Sequence, residues 1–535
     1  MKLHKFLLLI IIVLLLLTLS SRYTGYFVKR KRLEKVGPRL RELALSNPEK
    51  KVKVIVWLDK DTYYYSRFYR EGKTPDGVKA PTNRIFLRSG EREEMIFGEG
   101  VQTSYFIGLG ASTDLSKALV TVSYGWTKSI IYGGNLHKPN NWHVIYDAKG
   151  YPSHPVDYTR NQYLVISYEN EGLGKILAID ENGEKSILVN EQKFPLQNAV
   201  VVGDKIIAHY LVHASSMLKM FDMQGKEITE FKFDVAGSIS TMHSNGREVV
   251  FKFETFFVPY RIYSLRDTQL VLLDSEEING DYIIDEDFTE SSDGTKIHLF
   301  IVRKEKTEIN NVVLYGYGGF RIAITPSYSP YILPFIEDGG VYAVANLRGG
   351  SEYGEKWHRA GMRENKQNVF NDFISAANYF KAKKARVIVI GRSNGGLLVG
   401  AVLTQKPEIL DGAVIGYPVL DMLRFHKLYI GRAWVPEYGD PDNPEDAKFL
   451  LKYSPYHNIR SDVIYPPTLV YTGLHDDRVH PAHAFKFVAK MRDTGANIYL
   501  RTETVSGHAG ATPETRIKEY SDILAFIYRV LGMKY

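Results

Sequence analysis

A serine enclosed by glycines is the first feature that could carry chemistry. The run Gly391-Arg-Ser-Asn-Gly-Gly396 follows an apolar segment that ends at Ile390, and it precedes the helix-forming stretch Leu397–Leu403. In that context small residues let a strand turn sharply into a helix, which exposes the serine hydroxyl and aims the next backbone N–H at a developing oxyanion. The pattern predicts a nucleophilic Ser393. A purely structural glycine turn is the alternative interpretation.

A nucleophilic serine needs a base and a group that orients this base. Downstream, Thr472–Pro481 begins at the end of another apolar strand and contains Asp476, and a later glycine-flanked loop contains His508. The chain order serine, acid, histidine is typical of α/β-hydrolases. We therefore expect Ser393, Asp476 and His508 to form a triad, with Asp477 as the competing acid and a surface-loop role as the alternative for His508.

The same region raises a metal hypothesis, because His475, Asp476, His480 and His483 lie close in the sequence. Imidazole and carboxylate groups can bind zinc. However, the chain has no H-E-x-x-H motif, Pro481 interrupts the helical spacing, and a metal would leave the serine motif unexplained. We predict no metal and no cofactor.

Two kinds of elements surround these residues. Residues 52–277 form short strands rich in Val, Ile, Tyr and Phe, separated by turn signals such as Asp76-Gly77 and Asn245-Gly246. Similar strand patterns recur every 40–50 residues or so, which is the period of a four-stranded propeller blade. The pattern predicts a β-propeller of about five blades over residues 51–280, with a pair of β-sandwiches as the alternative.

From residue 281 to 535, apolar strands alternate with amphipathic helices. Strand-like segments include Val312–Tyr315, Gly340–Asn346, Ala385–Ile390, Gly412–Gly416 and Thr468–Thr472. Continuous apolar strands between helices indicate a mostly parallel sheet covered on both faces. Together with the serine motif, this predicts an α/β-hydrolase domain.

Composition narrows the function classes. The chain has 535 residues, of which 44% are hydrophobic, and it contains no cysteine. Disulfides, a thiol nucleophile and Cys-based metal centres are therefore excluded. A formal charge of +7 is small for this length and gives no support to nucleic acid binding.

The N-terminal segment, residues 1–35, resembles a leader. An apolar run over Phe6–Leu19 lies between Lys2 and Lys5 on one side and the cluster Lys29–Arg32 on the other. This run is shorter than the ~20 residues of a membrane-spanning helix, but extending it to Val28 reaches that length. We expect a retained anchor, with the body on the cytoplasmic side because more basic residues follow the run than precede it. A cleaved signal on a secreted protein and a soluble cytoplasmic protein are the alternatives.

Several longer motifs make the resemblance to a known family specific. They are Tyr315-Gly-Tyr-Gly-Gly-Phe320, Ala345-Asn-Leu-Arg-Gly-Gly-Ser-Glu-Tyr-Gly354, Gly391-Arg-Ser-Asn-Gly-Gly396, Asp421-Met-Leu-Arg-Phe-His-Lys427, Arg432-Ala-Trp-Val-Pro-Glu-Tyr-Gly439 and His475-Asp-Asp-Arg-Val479. From residue 52 to the C-terminus the chain resembles the prolyl oligopeptidase family of serine peptidases, in particular its archaeal prolyl endopeptidases. The resemblance implies a propeller that caps an α/β-hydrolase domain, with the active site in a cavity between them.

The resemblance also assigns roles to single residues. It implies that Ser393, Asp476 and His508 are the triad, and that the Tyr317 hydroxyl and the Asn394 backbone N–H hold the oxyanion. Trp434 matches the indole that stacks on the proline of the substrate, and Arg478 matches a group that binds the peptide backbone. The remaining wall of the proline pocket corresponds to Phe320, Val419, Tyr438 and Val479.

The implied reaction is hydrolysis of oligopeptides on the carboxyl side of proline through an acyl-enzyme. An acylaminoacyl-peptidase, a carboxylesterase and a membrane-tethered binding module with an impaired hydrolase domain are the alternatives. Two departures stand out. Relatives usually carry seven blades, so a shorter propeller predicts either a side entrance or sheet edges that a second subunit covers. Arg392 replaces a residue that is often glycine in relatives.

Overall fold

The computed structural model describes residues 53–59, 62–505, 507–508 and 512–534. The predicted leader, residues 1–35, lies outside this part of the chain. Within the part that the structure describes, none of the helices has both the length and the apolar character needed to cross a bilayer.

The N-terminal half forms five antiparallel sheets of four strands each. They comprise β1 (Lys53–Asp59), β2 (Thr62–Tyr69), β3 (Thr82–Ser89) and β4 (Arg92–Phe97); β5 (Tyr105–Ala111), β6 (Lys117–Tyr124), β7 (Lys128–Asn135) and β8 (His143–Asp147); β9 (Ser153–Thr159), β10 (Gln162–Ser167), β11 (Lys175–Asp180) and β12 (Lys185–Val189); β13 (Leu196–Val202), β14 (Lys205–Val212), β15 (Ser215–Asp222) and β16 (Glu227–Phe231); β17 (Ser238–Ser244), β18 (Val249–Glu254), β19 (Tyr260–Arg266) and β20 (Gln269–Glu276).

Each sheet buries its faces against the next one along the chain. The residues of one core cluster come from the third and fourth sheets, for example Ile176 and Tyr210, and those of another come from the fourth and fifth, for example Met220 and Phe251. Turn residues allow the strands to reverse, as at Gly246, where φ is +81°. The described residues thus form propeller blades, and their number agrees with the prediction.

The C-terminal half contains an eight-stranded sheet in the order β21-β22-β24-β23-β25-β26-β27-β28. Its strands are β21 (Tyr282–Glu290), β22 (Lys296–Lys304), β23 (Asn311–Tyr315), β24 (Val341–Asn346), β25 (Arg386–Arg392), β26 (Gly412–Gly416), β27 (Thr468–Gly473) and β28 (Ile498–Glu503). The strands from β24 to β28 are parallel, whereas β21 and β22 add an antiparallel edge. The predicted domain boundary at residues 280 and 281 lies between β20 and β21.

Helices cover both faces of this sheet. They are α1 (Leu333–Glu337), α2 (Glu355–Arg359), α3 (Gln367–Ala382), α4 (Asn394–Gln405), α5 (Val435–Tyr438), α6 (Pro444–Tyr453), α7 (Ala482–Asp493) and α8 (Pro513–Leu531). Phe373 of α3, Leu398 of α4 and Phe487 of α7 belong to the core on one face, and Phe335 of α1 and Ile527 of α8 belong to the core on the other. The predicted α/β-hydrolase class is confirmed.

The topology brings three loops together. Ser393 directly follows β25, Asp476 follows β27, and His508 follows β28. Because these strands are parallel, their carboxyl ends lie along one edge of the sheet, which is where open α/β sheets bind ligands.

Candidate active site

Ser393 occupies a strained turn between β25 and α4. Its backbone has φ 59° and ψ −116°, a conformation that few non-glycine residues adopt. The backbone N–H of Ser393 donates to the carbonyl of Gly416 at 2.8 Å. A Cβ added to Gly391 would lie 2.2 Å from the carbonyl oxygen of Gly395, and one added to Gly395 would lie 2.7 Å from that of Gly316. The turn therefore requires the glycines on both sides of the serine.

The loop after β27 orients His508. Nδ1 of His508 lies 2.7 Å from Oδ2 of Asp476, a carboxylate that is 1% exposed. The other carboxylate oxygen accepts the backbone N–H groups of Arg478 and Val479, each at 2.9 Å. These bonds fix the carboxylate, and the imidazole uses Nδ1 toward it, which leaves Nε2 on the opposite side of the ring. Asp477, the competing acid, is exposed and pairs instead with Arg70 of the propeller.

Ser393 and His508 line one cavity of about 360 Å³. The predicted oxyanion donor Tyr317 also lines this cavity, as do the predicted substrate-binding residues Phe320, Val419, Trp434, Tyr438 and Arg478. Phe320 and Tyr438 meet edge to face with 5.2 Å between their ring centroids, so this wall of the cavity is aromatic and apolar.

Two predicted residues lie behind this wall. Val479 is buried beside Asp476 and does not line the cavity. The Asn394 side chain is also buried, and its Nδ2 donates to the carbonyl of Tyr317 at 2.6 Å. Its Oδ1 accepts the Tyr438 hydroxyl at 2.9 Å. The side chain of Asn394 thus supports the cavity wall, while its backbone N–H is at the first turn of α4.

The hydroxyl of Tyr317 is suited to donate a hydrogen bond. Burial raises the pKa of Tyr317 above its ordinary value, so the phenol stays protonated. The N-terminus of α4 lies at the same turn, and its unpaired N–H groups favour negative charge. This arrangement can stabilise an oxyanion formed next to Ser393.

Sequence reasoning missed a buried carboxylate beneath the cavity. Glu437 accepts the backbone N–H of Phe320 at 2.8 Å, and Phe320 has a φ of +58°. Nε2 of His358 lies 2.9 Å from the other oxygen of Glu437. Burial alone would raise the pKa of Glu437, but the charges of His358 and Lys366 outweigh it and hold this pKa below its ordinary value. Glu437 lies within the motif around Trp434, but its partners are too distant in sequence to be inferred.

Sequence reasoning also missed the propeller side of the cavity. Phe68, Arg70 and Trp126 line it from the first two sheets. Trp126 and Phe320 meet edge to face, with ring centroids 4.6 Å apart. No motif marks Trp126, because only the docking of the propeller brings it to the site.

One group of described residues has metal-ligand types in proximity, namely His426, Asp440 and Asp442. It differs from the group that the sequence suggested. Nη2 of Arg432 lies 3.0 Å from Asp440, and Nζ of Lys427 lies 3.0 Å from Asp442, so both carboxylates already have cationic partners.

Arg392, the unusual residue of the serine motif, faces α8. Its guanidinium lies 5.2 Å from the centre of the Tyr417 ring and donates to the Tyr520 hydroxyl at 3.2 Å. Nη2 lies 3.8 Å from Glu519. Arg392 therefore links the serine turn to the helix that follows the His508 loop.

Comparisons with known proteins agree with this architecture. A model described as the prolyl oligopeptidase N-terminal beta-propeller domain matches residues 40–269, and one described as the prolyl oligopeptidase family matches residues 326–534. A prolyl endopeptidase of Elizabethkingia meningoseptica is 32% identical over 510 residues, which cover 90% of this chain and 72% of that protein. The chain belongs to the prolyl oligopeptidase family.

Other relatives of this family member are similar over different lengths. A prolyl endopeptidase of Elizabethkingia miricola is 38% identical over 351 residues, and the match spans 62% of this chain but only half (50%) of that protein. A solved structure from a study of two prolyl endopeptidases superposes with a TM-score of 0.84 at 30% identity, covering 90% of this chain and 75% of that one. The two relatives named with an organism come from Elizabethkingia, and the likeness to archaeal members stays a prediction.

Proposed function

We propose that this family member is a serine endopeptidase that hydrolyses oligopeptides on the carboxyl side of proline. The observation that carries the proposal is the cavity that Ser393 and His508 share with the aromatic wall of Phe320, Trp434 and Tyr438. A nucleophile and its base thus adjoin a slot that fits a compact apolar ring.

The reaction proceeds in two acyl-transfer steps. Oγ of Ser393 attacks the carbonyl carbon of proline while His508 takes the hydroxyl proton, and Asp476 stabilises the resulting imidazolium. The Tyr317 hydroxyl and the Asn394 backbone N–H hold the oxyanion. The C–N bond then breaks, and His508 gives its proton to the leaving amine. Water, deprotonated by His508, attacks the acyl-enzyme, and His508 returns the proton to Oγ of Ser393 as the peptide acid leaves.

We expect the slot to select proline because proline lacks polar groups that would need a partner there. Proline has an apolar ring and no backbone N–H, so it needs no polar partner in the wall. The Tyr438 hydroxyl is already bonded to Asn394, so it is not free to pair with a charged side chain in the slot. A charged residue would lose hydration on entering this aromatic slot.

The decisive experiment compares three substrates on the wild-type chain and on Ser393→Ala. They are blocked Gly-Pro and Gly-Arg chromogenic peptides and a simple ester. We expect cleavage after proline that Ser393→Ala abolishes. Ester turnover alone would indicate a carboxylesterase. Release of the blocked glycine without the chromophore, detected by chromatography of the products, would indicate an acylaminoacyl-peptidase. Inactivity on all substrates would favour the binding module.

We also propose that the leader attaches the protein to a membrane, with the body in the cytoplasm. The support is the apolar run Phe6–Leu19 and the basic cluster after it. Full-length protein should stay in the membrane pellet after carbonate extraction, whereas a variant without residues 1–35 should move to the supernatant. Release of the full-length protein would overturn this proposal.

A second copy of the chain is the proposed cover for the last propeller sheet. β20 is an edge strand, and its own residues Val271, Leu272 and Leu273 are 48%, 48% and 45% exposed. Contiguous apolar side chains on an edge strand favour association. Sedimentation should show a dimer for the wild-type chain and a monomer for Leu272→Glu, and a wild-type monomer would contradict the proposal.

A further inference from the structure

A second cavity of about 470 Å³ adjoins the active-site cavity. One side consists of the connection between β2 and β3, with Arg70, Lys73 and Lys79, and the other side is Lys427 and Tyr429 of the catalytic domain. Arg70 lines both cavities, so this cationic cleft opens next to the catalytic residues.

The charge of the cleft is predominantly positive. Its lining holds four cationic side chains and one acidic side chain, Glu71. Arg70 pairs with Asp477, and Nζ of Lys427 lies 3.0 Å from Asp442, but neither carboxylate lines the cleft. Among the described residues, Lys73 and Lys79 have no ion-pair partner.

Lys73 and Lys79 are also paired directly across an antiparallel bridge. Like charges in directly opposite positions destabilise such a pairing. Both lysines are exposed, so solvent weakens this repulsion but does not turn it into attraction. A bound anion between the two lysines would reverse the sign of the interaction.

We propose that the cationic cleft binds aspartate and glutamate side chains of an oligopeptide whose proline lies in the catalytic cavity. The inference rests on the proposed function, since it assigns the cleft to the same substrate. An extended peptide advances about 3.3 Å per residue, so the residues a few positions from the proline are those that leave the catalytic cavity. A substrate carboxylate that arrives there meets Arg70 first and the two lysines beyond it.

The test uses quenched-fluorescence peptides with a single proline. In one pair of peptides, two residues on the amino side of the proline are both Asp or both Asn, and in a second pair the same change is made on the carboxyl side. We expect kcat/KM of the wild-type chain to be about three to ten times higher for the Asp peptide of at least one pair. This ratio should fall towards one at high salt, because exposed charges are screened.

The variants Lys73→Gln and Lys79→Gln, combined, should bring the Asp/Asn ratio close to one. The ratio is internally controlled, because the same variant cleaves both peptides of a pair. Lys226→Gln with Lys232→Gln removes the same charge from residues that line neither cavity, and it should retain the wild-type ratio. If the first double variant does not fold, Lys79→Gln alone and the salt dependence of the wild-type ratio decide.

Equal rates for Asp and Asn peptides in the wild-type chain would overturn the inference, as would an unchanged ratio in the cleft variant or an equal loss in the control. A blocked Gly-Pro peptide is too short to reach the cleft and reports on the proposed function alone. If this peptide is not cleaved, the fluorescence anisotropy of labelled Asp and Asn peptides mixed with Ser393→Ala still measures their affinities. Equal affinity of the two peptides would then reject the inference.

Discussion

Burial decides what the side chains around Ser393 can do. The Tyr317 phenol is kept protonated by burial, and the buried Asn394 side chain holds the carbonyl of Tyr317 at 2.6 Å. These contacts keep a neutral donor near Ser393, where the proposed reaction develops negative charge. The polar groups around Ser393 are few, and because they are enclosed by apolar side chains, each keeps a defined hydrogen-bond partner.

Replacing Tyr317 with Phe should lower kcat about 10²–10³-fold, because one oxyanion donor is lost in the transition state. KM for a blocked Gly-Pro substrate should change much less, since the ring that lines the cavity remains. Steady-state kinetics measures both constants. Tyr315→Phe removes a hydroxyl from the preceding strand, outside the cavity, and it should behave like the wild-type chain. Equal losses in both variants would assign the effect to packing.

Glu352 provides a pH-dependent test of stability. It is 1% exposed, and burial raises its pKa from 4.5 to about 7. The folded protein therefore binds more protons than the unfolded chain between these values, so stability is lost as the pH rises through this window. Glu352→Gln removes the titration, and it should gain roughly 2–4 kcal/mol relative to the wild-type chain between pH 4.5 and 7.

Urea unfolding of both chains at several pH values measures this difference. Glu445→Gln is the control, because Glu445 has a side chain that is 76% exposed. The unfolding free energy of Glu445→Gln should differ from that of the wild-type chain by a constant amount between pH 4.5 and 7. A constant difference for Glu352→Gln as well would mean that Glu352 titrates alike in the folded and unfolded states.

Sequence patterns could mark a candidate site residue where the residues adjacent to it in the chain form a recognisable motif. Ser393 was marked by adjacent glycines, and Asp476 and His508 by short motifs at strand ends. Val479 was placed in the wall of the cavity, but its side chain is buried beside Asp476 instead. The contribution of Trp126 could not be predicted, because its contact with Phe320 joins residues nearly 200 positions apart.

At the scale of elements, the serine turn depends on close backbone packing. Gly391→Ala would place a Cβ 2.2 Å from the carbonyl oxygen of Gly395. Relieving this contact must shift the turn, and we expect a loss of about 1–3 kcal/mol of stability together with a fall in kcat. Gly108→Ala is the matched control, since its Cβ would find its nearest neighbour at 4.0 Å. Unfolding curves and kinetics should separate the two variants, and similar results for both would contradict the packing argument.

Glu519 of α8 contacts two residues near His508. Oε2 of Glu519 accepts the Tyr417 hydroxyl at 2.5 Å and lies 3.7 Å from Arg501 of β28. The Tyr417 ring lies 5.4 Å from the imidazole of His508, measured between centroids. Glu519 is thus in a position to orient the base without touching the substrate.

Glu519→Gln should lower kcat tenfold to a hundredfold with a smaller change in KM, because misplacing a catalytic group slows the chemical step more than binding. Labelling of Ser393 by a small fluorophosphonate, which does not need the proline slot, should slow in parallel. Glu514→Gln, an exposed residue of the same helix, is the control. A rise in KM at constant kcat would contradict a positioning role.

Hydrophobic periodicity predicted most of the parallel sheet, since β23–β27 are continuous apolar runs. It did not identify the antiparallel edge formed by β21 and β22. Strand β21 has five half-buried and four exposed residues. Such a strand carries little hydrophobic signal, and its place is set by pairing with β22.

At the scale of the whole molecule, turn spacing predicted the number of blades, but no local pattern indicates how the propeller docks. Arginines of the catalytic domain make this contact. The guanidinium of Arg321 lies 3.9 Å from the Tyr168 ring, and that of Arg359 lies 4.5 Å from the Tyr151 ring. These pairs join residues at least 150 positions apart, so the interface follows only from the folded domains.

Arg359 makes the most extensive of these contacts. Nη2 donates to the carbonyl of Thr127 at 3.2 Å and to that of Gly150 at 2.8 Å, while Nε donates to Glu355 at 2.9 Å. One side chain therefore fastens two propeller turns to the catalytic domain. Hydrogen bonds to a charged donor contribute about 1.5–3 kcal/mol each, so their loss should loosen this interface.

Arg359→Gln should increase hydrogen exchange about tenfold or more in the propeller turns at residues 124–130 and 148–152, because these turns open more often once released. Exchange in β23–β26 should stay unchanged, since these strands lie in the core of the catalytic sheet. Arg460→Gln removes an exposed arginine that pairs only locally with Asp462, and it should alter neither region. Faster exchange throughout the sheet would indicate global destabilisation, and unchanged turns would show that Arg359 does not hold the propeller in place.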